Sequence, residues 1–290
     1  MASFQVTQLN PKRFQASQIK FLVVLLLVGA VMILPIIYIV NQAFKPLDEL
    51  FYFPPQLIVK NPTLSNFTEL GRLARTTGLP WIRYVLNSVI ISVVYVFAVL
   101  VITVAAAYAI SKKQFKFKNT LFKINQLALM FTAVAVAVPN YLIISYLGLM
   151  DNFWVHIIPS LAVPTYLFLM KQYIDDGVPK EILESAKLDG ANDLQIIFKF
   201  VMPLVKPAIA TVAILAFQNI WNSGGASLIY LTSESLKTLP YYLGLLQASA
   251  GIKATGVAAA SSLITFVPNL IIFIAMQSRV MNTMAKSGIK

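Results

Sequence analysis

Residues 179–203, PKEILESAKLDGANDLQIIFKFVMP, are the most strongly patterned polar segment of an otherwise apolar chain. Pro179 suits the first turn of a helix, where its missing N–H has no hydrogen bond to lose. We expect that helix to run to Leu188. The dipeptide Asp189-Gly190 then supplies a turn, because glycine adopts the left-handed conformation without a steric penalty.

A second helix is predicted directly after this turn. Asn192 and Gln195 have the spacing of a capping box, in which each side chain bonds the other residue's backbone N–H. We expect this helix to continue through Phe200 and to be ended by Pro203. The segment therefore predicts a helix, a turn and a helix.

The turn combines small and acidic residues. Ala186 and Ala191 flank it with almost no side chain, so another protein's surface can approach the backbone while Glu184 and Asp189 reach outward. Two interpretations are open at this point: a docking element for a partner protein, or an ordinary amphipathic loop on a membrane surface.

Composition places the rest of the chain in a lipid bilayer. Of the 290 residues, 58% are hydrophobic and 12% charged, against about 45–50% and about 25% in soluble domains. The net charge of +12 comes from short basic clusters between apolar runs, which indicates membrane orientation rather than nucleic-acid binding. The chain has no cysteine and a single histidine, so disulfides and thiolate metal sites are excluded, and His156 is interpreted as a packing or interfacial residue.

Six apolar runs predict an all-α integral membrane protein with one domain over residues 1–290. Each run approaches the roughly 20 residues that a helix needs to cross the hydrocarbon core. We expect Pro139 to interrupt the third run, and Pro159 and Pro164 to kink the fourth. The predicted spans are residues 21–44, 84–110, 124–149, 153–170, 204–231 and 254–278.

The basic residues predict the orientation of these spans. Sixteen of the 23 Lys and Arg fall in the N-terminal stretch, the tail and the two connections that an even span count places inside. Both termini are therefore expected to be cytoplasmic. Residues 45–83 form a long external loop that can hold short amphipathic helices.

The chain lacks the features of a self-powered transporter. It contains no G-x-x-x-x-G-K-[ST] loop, so a partner must supply the energy of ATP. The interiors of the predicted spans lack Asp, Glu, Lys and Arg, which argues against an ion-coupled carrier.

Polar side chains within the spans are the candidates for a translocation path. Amides and aromatic rings suit a sugar, but the same residues can hydrogen-bond helices to one another, and both interpretations are open. Positions 218, 221 and 222 share a helical face, whereas Asn219 points away and is expected to bond a neighbouring helix. For Asn269, helix-to-helix bonding is favoured. The candidate path residues are Gln218, Trp221, Asn222, Asn140 and Tyr141.

The central segment resembles the EAA motif of permease subunits of bacterial ATP-binding-cassette importers. The resemblance rests on Glu184-Ser185-Ala186, Asp189-Gly190-Ala191, Phe198 and Pro203, with Ser185 where the family usually has alanine. Further stretches look like the maltose-type carbohydrate permeases, whereas 223–225 departs from them. The matching stretches are Asn87-Ser88, Ile220-Trp221-Asn222, Thr238-Leu239-Pro240 and the tail Ser287-Gly288-Ile289-Lys290, and the departure is Ser223-Gly224-Gly225.

This resemblance implies a type I importer fold with six transmembrane helices and a cytoplasmic coupling loop at 179–203. It implies a non-catalytic subunit in the bacterial cell membrane that works with a second permease, two ATPase subunits that bind ATP and Mg²⁺, and an extracytoplasmic solute-binding protein. The implied cargo is a sugar, and more narrowly an oligosaccharide; a permease for another solute and a membrane scaffold or insertase subunit are the alternatives. The coupling residues implied are Glu184, Ser185, Ala186, Asp189, Gly190, Ala191 and Pro203.

Overall fold

The structure, a computed structural model, describes residues 17–54, 56–76 and 80–287, and every regular element in these ranges is helical. The polar N-terminal stretch before Ser17 and residues 288–290 of the tail lie outside the described residues. In chain order the α-helices are α1 Ser17–Phe44, α2 Leu47–Leu50, α3 Ser65–Thr76, α4 Trp81–Lys112, α5 Lys118–Ala128, α6 Ala137–Tyr146, α7 Pro164–Gly177, α8 Lys180–Leu188, α9 Asp193–Gln195, α10 Met202–Leu204, α11 Lys206–Trp221, α12 Gly225–Ile229, α13 Leu239–Ser249 and α14 Ala254–Ser287.

Short turns of other helix types complete the chain. 3₁₀ turns lie at Phe153–His156, Ile158–Ser160, Glu234–Leu236 and Gly251–Lys253. A π-helical turn, Ile196–Val201, joins α9 to α10, so that Asp193–Leu204 forms one helical segment.

Among the described residues, three helices are long and apolar enough to cross a membrane, namely Ile19–Phe44, Trp81–Lys112 and Gly251–Gln277. Two bent pairs meet the same test when each pair is counted as one span, which raises the number to as many as five. One pair joins Phe153–Ser160 to Pro164–Gly177 with a bend of 48°, as the prolines predicted. The other joins Asp193–Leu204 to Lys206–Ile229 with a bend of 88°.

The third predicted span, 124–149, is not one helix. It is divided between α5 and α6, and the break lies at residues 129–136, before the proline that was expected to cause it. Pro139 instead occupies the first turn of α6, where its missing N–H costs no helical hydrogen bond. The location of this break is therefore a correction to the prediction.

The fifth predicted span, 204–231, is also interrupted. α11 ends at Trp221, and after a turn at Asn222 to Gly224 the chain forms the short helix α12. The glycine at 224 lies against another backbone, because a Cβ there would stand 3.1 Å from the backbone nitrogen of Tyr241. Close approach of these two backbone segments explains why a glycine occupies this position.

α4 is the central helix of the bundle and packs against α7 and α11. α14 packs against α11 and α13, and α1 lies along α14. Between Phe21 and Tyr38 most side chains of α1 are exposed and apolar, as expected for a helix whose surroundings are hydrocarbon. The largest buried cluster joins α4, α7 and α11 to the 180–204 segment.

Residues 45–83 hold short helices, as predicted, and side-chain hydrogen bonds fold this segment. The carboxylate of Glu49 accepts backbone N–H groups of Lys60 and Asn61 at 3.0 and 2.9 Å. Asn66 donates to the carbonyls of Ala43 and Lys45 at 3.0 and 2.9 Å. The first two bonds fasten residues 60 and 61 to α2, and the other two fasten α3 to the end of α1.

Candidate functional site

The helix–turn–helix forms at 180–204 as its local pattern predicted. Gly190 has a φ of +82°, the left-handed conformation that ends α8. The N–H of Ala191 donates to the Ala186 carbonyl at 2.9 Å, which satisfies a carbonyl that the helix end leaves unpaired. Asn192 and Gln195 form a complete capping box, with reciprocal bonds of 2.9 and 3.0 Å.

Two details of this segment differ from the prediction. Pro179 is the N-cap of α8 and not a residue of its first turn. Pro203 does not end the second helix, because α10 continues through it to Leu204 and the chain bends at Val205. Because the helical segment ends at Leu204, Pro203 lies in its last turn, one residue before the end.

Ala186 has a different environment from the one expected. It is 2% exposed and packs, with Leu183, into the cluster formed by Ile196, Val201 and α7. Its small side chain lets the two halves of this segment approach each other, so it is not available to a partner. Ala191 is half-buried.

The outward face of the segment carries exposed apolar residues that the sequence argument missed. Leu188 is 90% exposed, Leu194 66% and Phe198 50%, and the acidic residues Glu184 and Asp189 lie beside them on the surface. We call these five residues the turn surface. The sequence could have identified Leu188 and Leu194 as exposed, because they do not share the helical face of the buried residues Leu183 and Ile196.

The basic connection after α4 contacts this segment. The ammonium of Lys113 forms an ion pair with the carboxylate of Asp193, which lies between the two residues of the capping box. This hydrogen bond raises the pKa of Lys113 above its usual value. One residue earlier, Lys112 reaches the backbone carbonyl of Asp175 at 3.4 Å, and the hydroxyl of Ser111 bonds the Asp175 carboxylate. The end of α4 is thus tied both to α7 and to the second half of the helix–turn–helix.

The polar residues of α11 do not form one cavity wall. The indole N–H of Trp221 donates to the Thr265 carbonyl of α14 at 3.1 Å, and its ring stacks on Phe217 with centroids 5.5 Å apart. Trp221 is 5% exposed, so it packs α11 onto α14. Gln218 is half-buried and Asn222 exposed. A shared helical face therefore does not translate into a shared solvent-filled space.

Asn219 faces a neighbouring helix, as expected. Its side chain lies next to the Tyr166 hydroxyl of α7. Asn140 and Tyr141 lie on the surface of α6, where the ring of Tyr141 stacks on Tyr230 at 6.1 Å. Neither of these two residues lines the cavity described next.

A partly open cavity with a mixed polar and apolar lining lies between α1, α11, α13 and α14. Its volume is about 510 Å³, within the range of about 300–1,000 Å³ typical of small-molecule sites. Asn222 is the one candidate path residue in its lining. Asn269 also lines it and donates to the Asn222 side-chain oxygen at 3.0 Å, which joins α14 to α11 as the helix-to-helix interpretation expected. The remaining lining residues are Ile39, Pro240, Leu243, Gly244, Gln247, Ser261, Ser262, Thr265 and Phe266.

Two of the stretches that look like the maltose-type permeases, Asn87-Ser88 and Thr238-Leu239-Pro240, meet near the N-terminal end of α4. Asn87 donates to the carbonyls of Ser235 and Lys237, both at 2.9 Å. Ser88 accepts the N–H of Leu239 at 2.8 Å. His156 is buried and its Nε2 lies 3.1 Å from the Leu236 carbonyl, so it holds the same loop, in agreement with a packing role.

Asp151 adds a further contact to this loop. Its carboxylate accepts the backbone N–H groups of Thr232 and Ser233 at 3.0 and 2.7 Å, and the Ser233 hydroxyl at 2.6 Å. These bonds, led by the Ser233 hydroxyl, lower the pKa of Asp151. Residues 232–239 are therefore fixed by side chains from three separate parts of the chain.

The long apolar helices, packed around α4 and bearing a polar helix–turn–helix, define an all-helical membrane protein. Within the described ranges, no group of three His, Cys, Asp or Glu side chains could hold a metal ion. The family model described as "Binding-protein-dependent transport system inner membrane component" matches residues 70–278. The chain belongs to this family, and so is a non-catalytic, multi-pass permease component of an inner-membrane ABC transporter.

Curated relatives are similar over nearly the whole chain. The "Inner membrane ABC transporter permease protein YcjP" of Escherichia coli (strain K12) is 29% identical over 276 residues, which cover 94% of this chain and 97% of that protein. The "Arabinooligosaccharides transport system permease protein AraQ" of Halalkalibacterium halodurans is 29% identical over 269 residues, covering 91% and 93%.

A solved structure shares the fold. The crystal structure of a bacterial ABC transporter involved in the import of the acidic polysaccharide alginate contains a chain that aligns with a TM-score of 0.72 at 24% identity. The alignment covers 92% of this chain and 99% of that one.

Proposed function

We propose that this chain is the subunit of a bacterial importer that carries a sugar through the cell membrane. An extracytoplasmic solute-binding protein would deliver the sugar. The arabinooligosaccharide permease among its relatives supports the substrate class. A second permease would complete the path, and two partner ATPase subunits would bind ATP and Mg²⁺.

The proposal that this segment couples the ATPase to the membrane helices rests on the turn surface. Exposed leucines and a phenylalanine within a rim of carboxylates form an apolar patch that a partner groove can cover, and the segment behind it is packed into the bundle core. Movement of an ATPase subunit docked there would therefore be transmitted to α4, α7 and α11. Alternating access follows if closure of the ATPase pair favours one of two arrangements of these helices.

The coupling residues implied by the motif have distinct tasks in this proposal. Glu184, Ser185 and Asp189 contact the ATPase, whereas Gly190 shapes the turn. Ala186 and Ala191 keep the two helices close together. Pro203 lies beside the bend at Val205, where the docked segment turns into α11.

Six passes are proposed, with both termini in the cytoplasm. The passes are α1, α4, α5 with α6, the bent segment Phe153–Gly177, α11 with α12, and α14. An alkaline phosphatase domain fused after Lys290 is expected to be inactive. The same domain inserted after the exposed Leu57 is expected to be active, and the reverse pattern would exclude this orientation.

Removal of the Glu184 carboxylate tests the docking assignment. A charge-assisted hydrogen bond to a partner is worth about 1.5–3 kcal/mol, or about 10–150-fold in affinity for the ATPase subunits. Glu184→Ala should lower ATPase co-purification and ATP-driven sugar uptake without reducing membrane insertion. Asp48→Ala, which removes an exposed carboxylate from α2, is the matched control. Unchanged ATPase binding in Glu184→Ala would remove Glu184 from the docking surface.

A further inference from the structure

The lining of the cavity between α1, α11, α13 and α14 includes polar side chains but no charged one. Three amides, Asn222, Gln247 and Asn269, and the hydroxyls of Ser262 and Thr265 contribute to its lining. None of the lining side chains is Asp, Glu, Lys or Arg. Such a lining presents donors and acceptors but no counter-charge.

We infer that this cavity is a binding site for a neutral carbohydrate, and that it disfavours uronates and other anionic sugars. Amides and hydroxyls pair with sugar hydroxyls, which are both donors and acceptors. The ring of Phe266 and the side chain of Leu243 supply an apolar surface for the C–H face of a sugar ring. This inference rests on the proposed sugar transport; it keeps Asn222 from the candidate path residues of the sequence and adds residues of α13 and α14.

Charge decides the substrate class. A carboxylate that binds in this partly open cavity loses part of its hydration, and the lining offers no cation to replace it. A neutral hydroxyl loses little, because each protein–ligand hydrogen bond replaces one to water. The lining therefore discriminates between two sugars of the same size that differ only in a carboxylate.

The side-chain oxygen of Asn269, in the same cavity, lacks a hydrogen-bond donor within the described ranges. Its amide group donates to Asn222 and to the Thr265 carbonyl, at 3.0 and 3.1 Å. Its oxygen is buried and has no hydrogen-bond partner among the described residues. An unpaired buried acceptor is unfavourable, and a ligand hydroxyl reached by rotation of the amide supplies the missing donor.

Thiol labelling in the assembled transporter without ATP tests the site directly, because the chain has no native cysteine. Gln247→Cys and Ser262→Cys each place one thiol in the lining. The probes are two maleimides of equal linker length, one bearing glucose and one bearing glucuronate. Ser249→Cys, exposed on α13 but outside the lining, is the matched control.

The glucose probe should react at least about tenfold faster than the glucuronate probe at both lining thiols and at an equal rate at the control thiol; tenfold corresponds to about 1.4 kcal/mol. Adding Gln247→Lys to the Ser262→Cys variant should raise the glucuronate rate, whereas Gln247→Met should not. Equal rates of the two probes at the lining thiols would overturn the charge selectivity. Failure of both probes at the lining thiols, with normal labelling after unfolding, would mean that lipid or the second permease fills the cavity.

The outcome is separable from that of the proposed function. Labelling needs no ATP, whereas the coupling role is measured by ATP-driven uptake. Selective labelling in a complex that transports no sugar would refute the proposed function and support the binding site. Sugar uptake with unselective labelling would support the proposed function and refute the charge selectivity of the site.

Discussion

Gly190 is the residue on which the shape of the turn surface depends most directly. Its φ of +82° lies in the left-handed region, where a side chain at Cβ costs about 1–2 kcal/mol. Space is not the constraint, because a Cβ built on Gly190 meets no atom within 4 Å. Gly190→Ala therefore perturbs the backbone of the turn and nothing else.

The size of the effect follows from these two facts. A penalty of about 1–2 kcal/mol reduces the population of the native turn by up to about 5–30-fold relative to frayed alternatives. If the ATPase binds only the native turn, the apparent dissociation constant rises by the same factor. Asparagine tolerates the left-handed region better than alanine, so Gly190→Asn should lie between Gly190 and Gly190→Ala. Gly190→Val should be worse than the exposed change Ser185→Ala.

Titration of purified ATPase subunits against the detergent-solubilised permease measures this dissociation constant, and uptake per ATP hydrolysed reports coupling. Gly177→Ala is the matched control, because its Cβ also meets nothing within 4 Å and its φ is not positive. Equal affinities for Gly190→Ala and Gly177→Ala would refute the argument that the left-handed turn is required for docking.

Three further outcomes follow from contacts elsewhere. Lys113→Ala should lower uptake per ATP by loosening the segment at Asp193 while costing only about 0.2–1 kcal/mol of stability, since the pair is exposed; exchange of the two charges should restore uptake. Gly256→Ala places a Cβ 2.3 Å from the Asn66 amide oxygen and should destabilise the fold by about 1–3 kcal/mol in thermal unfolding, less in an Asn66→Ala background. Hydrogen bonds from Arg72, then Lys253, lower the pKa of Glu69 from 4.5 to about 2; its stabilising contribution is therefore present above pH 4.5 and lost as the pH falls toward 2. Glu69→Gln should remove that part of the pH dependence of the melting temperature, and an unchanged profile would contradict this.

Local patterns were sufficient to predict the helix–turn–helix. The turn at Gly190 and the capping box of Asn192 and Gln195 depend on hydrogen bonds between residues no more than five apart. Such contacts are determined by residue type and spacing, whatever the rest of the chain does. Apolar runs of membrane-spanning length likewise indicated an all-helical membrane protein without reference to any contact.

The interior faces required the tertiary structure. In spans that are apolar on every side, periodicity does not distinguish a residue that faces lipid from one that faces another helix. Trp221 therefore looked like a path residue but bonds α14, and Ala186 looked accessible but is buried. The break in the third span lies at residues 129–136, before Pro139, and the proline signal did not locate it.

By itself the sequence determined the membrane class, the family resemblance and the local turn, since each depends on composition or on neighbours along the chain. Only the tertiary structure decided which polar residues meet. Asn87 and Lys237 are 150 residues apart and bond each other, and Asn222 and Asn269 join across two helices beside one cavity. Contacts of this kind arise from the way the helices pack, and no spacing along the chain encodes them.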